Sequence, residues 1–389
     1  MKNPFSYGNE LGAGQLLDRK SDLAQVERTI RDGRKLFMIG PRRFGKTSIL
    51  KAAEERLRSE NAIVLRFDAT ASPTLELLVS RIVSQAAKAL SGEAKWVGEQ
   101  LANFFSMVRP DVKFKPADGE WSVQFGIERE KRENPMFFVD ALNGLEKLAA
   151  TQPADRPVGL IIDEFQRVIE LGGETIEFQI RAAIQQHSRV GYVFAGSKTR
   201  MLREMVSDHS RPFYNLGDIT NIGPVPRADF SAFLTEKFSD AGYAASNAVV
   251  SRILDLAQDV PYNVQALASH CWYRLIDEAA SGEDGFTPEF VDETLALVVR
   301  QQDPTHEGMW GQLTAIQQRT LMSVVARDGK GLTSARVLAE VGRGASTIQD
   351  ALQSMVNSEI LREERSGRQV QYVFENPFFY HWVRLTAMQ

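Results

Sequence analysis

A chain of 389 residues is longer than one compact core ordinarily supports, and it predicts two or three domains. With 43% hydrophobic and 25% charged residues it falls outside the disordered, collagenous and coiled-coil classes. A formal net charge of −4 excludes a surface coated in basic residues, although a local basic face stays compatible with it.

The single cysteine, Cys271, excludes an intramolecular disulfide and any cysteine-based zinc site. It stands beside Trp272 and Tyr273 in a helical pattern and reads as a buried structural thiol. The first eight residues lack the apolar core of a signal peptide, and no stretch approaches the roughly 20 apolar residues that span a bilayer. A cytoplasmic protein with no membrane segment is expected.

In chain order, Leu23, Val26 and Ile30 form a helical stripe, with Ser21 or Asp22 as its expected N-cap. An apolar strand over 36–39 runs into Gly40, Pro41, Arg42, Arg43, Phe44, Gly45, Lys46, Thr47 and Ser48, and a helix over 48–57 follows. Strand, glycine-containing turn and helix in that order make a phosphate-binding P-loop. Successive backbone N–H groups at the positive end of a helix dipole wrap phosphates, and glycines let the backbone come close. Lys46 is expected to reach the β and γ phosphates, and the Thr47 hydroxyl to bind Mg²⁺.

A strand over 62–67 and a helix over 74–90 come next, the helix carrying Leu75, Leu78, Ile82, Val83 and Ala86 on one face. Residues 91–135 read as an insertion. It holds Trp96, Phe104 and Phe105, taken as a small local core, and a hairpin of 112–114 with 122–125 around Pro116 to Gly119. A helix over 135–150 leads into the apolar run from Val158 to Ile162, which ends in Asp163 and Glu164. Such a run is a buried parallel strand delivering acids to the carboxyl edge of a sheet, where open α/β sheets bind ligands. Asp163 is expected in the Mg²⁺ shell, and Glu164 to orient or deprotonate the attacking water.

A helix over 175–186 and a strand over 190–197 complete this part, and Ser197 stands at the strand's polar end. Ser197 reads either as a residue sensing the γ-phosphate or as a plain strand-ending turn. After the break at Gly223 to Pro226 the pattern is helical over 230–238, 248–257 and 263–279, which predicts a small lid domain. Asp303 and Pro304 mark a further change. Helices over 315–326, 334–341 and 347–360, then two strands within 361–374 turning at Ser366 and Gly367, make a winged helix.

The expected fold is therefore α/β, a P-loop NTPase parallel sheet over 1–222, followed by a helical lid over 223–303 and a winged helix over 304–389. The whole chain resembles the archaeal-type ATPases of the STAND branch of AAA+ P-loop proteins. The resemblance rests on Asp18-Arg19-Lys20, the P-loop through Ser48, Asp163-Glu164-Phe165-Gln166, Ala195-Gly196-Ser197, and Asn376-Pro377-Phe378-Phe379 with Trp382. Two segments depart from the family pattern. Arg211-Pro212-Phe213-Tyr214-Asn215 has no arginine after the tyrosine, and Asp259-Val260-Pro261 keeps only the proline of a Gly-x-Pro element. Arg200, Arg203 and Arg211 remain as arginine candidates and are read as ordinary surface ion-pair partners.

The resemblance implies ATP as ligand and slow hydrolysis used as a conformational switch, read out by lid and winged helix to control a protein partner encoded nearby. A homo-oligomer is compatible with it. The competing class is a DNA-binding ATPase, with Arg336 and Arg343 near the recognition helix and Arg362, Arg365 and Arg368 in the wing. Glu340, Asp350, Glu359, Glu363 and Glu364 intersperse the same surface, so the switch is favoured over duplex binding. A scaffold with a degenerate site is disfavoured because every recognisable catalytic position is filled.

Overall fold

The computed structural model describes residues 2–10, 12, 16–89, 110–115, 120–125, 136–173, 175–279, 285–366 and 369–388. Trp96, Phe104, Phe105, the turn at Pro116 to Gly119, and Gly367 and Arg368 lie outside the described residues. The chain forms two compact units. One comprises Glu10–Gly40 and Lys46–Ile222, the other Met1–Asn9, Pro41–Gly45 and Gly223–Gln389.

The first of these is built on a five-stranded sheet. Its strands are β1 (Lys35–Ile39), β2 (Ile63–Asp68), β5 (Val158–Asp163), β6 (Val190–Gly196) and β7 (Asp218–Asn221), in the order β2-β5-β6-β1-β7. All pairings are parallel. Every residue of β5 and β6 is buried, as expected where helices cover both faces and the strands read as unbroken apolar runs. The edge strand β7 has one buried residue, Thr220, so its sequence carries no apolar run to announce it. Rings of Phe37, Phe165, Phe194 and Phe213 pack under the carboxyl edge, with Phe165 and Phe194 centroids 4.3 Å apart.

Helix Lys20–Arg31 lies against this sheet through Gly191, where a Cβ would sit 2.4 Å from Ile30 Cα. Its N-cap is Arg19, with no side-chain cap, so neither Ser21 nor Asp22 caps it. The helix has already started there, because Leu23 N–H donates to the Arg19 carbonyl at 2.9 Å. Asp22 instead occupies the first turn, where a carboxylate complements the helix dipole, and pairs with Arg19 at 3.4 Å. The antiparallel hairpin of β3 (Pro110–Lys115) and β4 (Glu120–Phe125) is present, with Val112 opposite Val123.

In the other unit, helices Arg227–Asp240, Asn247–Leu256 and Pro261–Ala279 match the helical reading. A fourth, Pro288–Gln301, starts at a Thr287 N-cap with proline in its first turn and buries Phe290, Val291, Leu295, Val298 and Val299. Asp303 and Pro304 open a further helix, Asp303–Gly311, since a proline in the first turn gives up no intrahelical hydrogen bond. Cys271 is fully buried in Pro261–Ala279, and burial pushes its thiol up to about 12.

Helices Ala315–Ala326, Ala335–Val341 and Ala345–Asn357 then precede the hairpin of β8 (Leu361–Ser366) and β9 (Gln369–Phe374), the winged-helix arrangement. Thr314 and Gln317 close a capping box on the first of these helices. Among the described residues, no helix is long and apolar enough to cross a membrane.

Candidate functional site

β1 delivers the chain to Gly40, where a Cβ would meet the Ile222 carbonyl oxygen at 2.6 Å, so only glycine fits. The turn that follows needs left-handed backbone at Arg43 (φ 69°) and Gly45 (φ 90°). Helix Lys46–Ser59 then begins. The Lys46 side chain is buried, and its Nζ donates to the Gly40 carbonyl at 2.8 Å, which holds the ammonium inside the loop. Thr47 Oγ1 donates to Asp163 Oδ2 at 2.7 Å, so the hydroxyl and the carboxylate assigned to Mg²⁺ from sequence are adjacent.

Asp163 ends β5 with 3% of its surface exposed. Burial raises its carboxyl above the usual carboxylate range, the Thr47 hydroxyl opposing this, because an anion loses hydration there. A buried carboxylate beside a hydroxyl is a donor set suited to Mg²⁺, which takes few protein ligands and completes its shell with water and phosphate oxygens. Among the described residues no three His, Cys, Asp or Glu side chains form a preformed metal cage, and Mg²⁺ held in this way needs none.

Glu164 adopts left-handed backbone (φ 51°), uncommon for a residue with a Cβ. Its neighbours impose it. Phe165 N–H donates to the Ala195 carbonyl at 2.8 Å, carrying the β5–β6 pairing past the turn, and the Phe165 ring is locked in the aromatic core. Glu164 is thereby turned sideways toward β6, and its Oε2 accepts from the Ser197 hydroxyl at 2.8 Å and the Ser197 N–H at 3.3 Å. The same Oε2 accepts from the Gln166 side-chain amide. Ser197 thus contacts the acid directly.

The loop apex belongs to the other unit. Arg42 pairs with Glu359 at 2.5 Å, and the Phe44 ring, 4% exposed, lies 5.6 Å from the Arg362 guanidinium. Tyr262 N–H donates to the Arg43 carbonyl at 3.3 Å, and the Arg43 guanidinium stands 4.9 Å from the Tyr262 ring. Of the other arginine candidates, Arg200 pairs with Glu204 at 2.9 Å, Arg211 is held by both oxygens of Glu177, and Arg203 donates to Asn221 at 3.2 Å.

Sequence reasoning assigned no role to Gln166. The available signal was Gly196, because a Cβ there would lie 2.2 Å from Gln166 Oε1, and its absence makes the space that seats this amide.

Comparison with known proteins is decisive at the level of fold. The Walker-type ATPase PABY2304 of Pyrococcus abyssi superposes with a TM-score of 0.65 at 14% identity, over 98% of this chain and 100% of that one. The ORC2 protein of Aeropyrum pernix, in its ADPNP–ADP complexes, gives 0.56 at 15% identity over 98% and 96%. The chain shares the fold of these two proteins. No protein-family model and no curated protein matches the sequence. At these identities the likeness is one of fold alone.

Proposed function

We propose that this protein binds ATP with Mg²⁺, hydrolyses it slowly, and uses the nucleotide state as a switch read by its helical and winged-helix segments. The observation that carries the reading is the Thr47 hydroxyl 2.7 Å from Asp163, with Lys46 on the same P-loop helix and Glu164 next to the acid in sequence. Gly40 to Ser48 would cradle the phosphates, Lys46 would offset charge on the β and γ groups, and Thr47 with Asp163 would hold Mg²⁺. Mg²⁺, when bound, neutralises phosphate charge. In hydrolysis the water oxygen bonds to the γ phosphorus, the bond to the ADP oxygen breaks, and the water proton passes to Glu164.

The switch part of the reading is supported by the loop apex, because Arg42 and Phe44 touch Glu359 and Arg362, which belong to the winged-helix segment. A nucleotide that reshapes the loop has a route to that segment. The DNA-binding alternative is weakened by the ion pairing of its arginines. Arg336 pairs with Glu340 at 3.0 Å, Arg362 with Glu364 at 2.8 Å, and Arg365 with Glu363.

The direct test is turnover of radiolabelled ATP in Mg²⁺ with and without duplex DNA. Slow hydrolysis unchanged by DNA is expected, with duplex affinity at physiological salt no tighter than about 1 μM. Arg365→Glu combined with Arg368→Glu should then alter nothing. If the intact protein instead bound duplex below about 1 μM, and the double variant cut the salt slope by about one unit per lost phosphate contact, the DNA-binding reading would replace this one.

A further inference from the structure

We propose that Gln166 is a positioning residue for the Glu164 carboxylate, fixing one carboxylate oxygen so that the other is the one presented to the reacting water. This rests on the hydrolytic reading above. Among the described residues, the hydrogen bonds of the Glu164 carboxylate all fall on Oε2, from the Ser197 hydroxyl, the Ser197 N–H and the Gln166 amide. Oε1 is left as the proton acceptor. Gln166 Nε2 also lies 3.4 Å from Ser197 Oγ, so amide and hydroxyl brace each other behind the acid.

The direction of the amide follows from chemistry. An ionised carboxylate has no hydrogen to donate, so the –NH₂ end of Gln166 must face Glu164. That turns Gln166 Oε1 inward, where it is buried with no hydrogen-bond partner among the described residues, in a residue 4% exposed. An orphaned buried acceptor is a standing cost, and an apolar side chain of similar length would fill the space beside Gly196 without it. Packing alone therefore disfavours glutamine here, whereas a donor aimed at Glu164 requires it.

The opposition between packing and activity supplies the test. Gln166→Met keeps the length and volume, removes the donor and removes the orphaned oxygen. Expected is a kcat for ATP lower by roughly 10- to 100-fold, with unchanged affinity for a non-hydrolysable ATP analogue and a Tm equal to or above wild type. Affinity for ADP–aluminium fluoride, which mimics the in-line state, should fall by a similar factor while ADP affinity holds.

Wild-type or raised kcat in the variant would overturn the proposal. So would a lower kcat accompanied by a lower Tm, because that is the signature of a structural residue. If wild type itself bound ADP–aluminium fluoride no more tightly than ADP, the hydrolytic reading would fall, and the proposal with it. That outcome is seen in wild type alone, so the two failures are told apart.

Discussion

Lys46→Ala is expected to remove nearly all measurable affinity for ATP and its non-hydrolysable analogue in titration calorimetry. The ammonium is buried, and it bonds the Gly40 carbonyl at 2.8 Å. Truncating one member of a buried, hydrogen-bonded charge pair typically costs about 2 to 5 kcal/mol, which corresponds to roughly 30- to 5,000-fold in affinity. Lys46 opens helix Lys46–Ser59, and alanine is the strongest helix former, so the variant should stay folded. A folded variant with unchanged affinity would sink the P-loop assignment.

Glu164→Gln should hold ATP and Mg²⁺ as wild type does but hydrolyse about 10²- to 10⁴-fold more slowly, the usual worth of a positioned general base. Glutamine at this place can still accept from Ser197 but cannot take a proton from water. Asp163→Asn should behave differently. It keeps a side-chain oxygen for the Thr47 hydroxyl yet loses the anionic charge, so half-maximal hydrolysis should need roughly 10- to 100-fold more Mg²⁺. Single-turnover assays across a Mg²⁺ series separate the two. If both variants lose metal-dependent binding alike, the division of labour between the adjacent acids is wrong.

Several features escaped the sequence reading for identifiable physical reasons. β7 offers one buried side chain in four, because an edge strand has little to bury. Helix Asp303–Gly311 went unread although its first turn holds Pro304, because the missing N–H that breaks a helix interior is harmless in a first turn. Ser21 and Asp22 had the right chemistry for an N-cap, but the helix had begun at Lys20.

The amino-acid sequence by itself determined what depends on contiguous residues. The P-loop, the buried run of β5 ending in two acids, and helix Ala315–Ala326 are each written in local periodicity and turn chemistry. Only the tertiary structure decided which side chains meet. Thr47 and Asp163 are 116 positions apart, and Glu164 and Ser197 are 33 apart. The second contact depends on the parallel register of β5 with β6, which places Ile162 beside Phe194 and lets Phe165 N–H reach Ala195, and the first depends also on that of β1 with β6. Crossover connections of variable length join parallel strands, so no local pattern encodes that register. The Gln166 amide is legible only once Gly196 is known to lie across from it, because a missing Cβ gains meaning from the neighbour that fills its space.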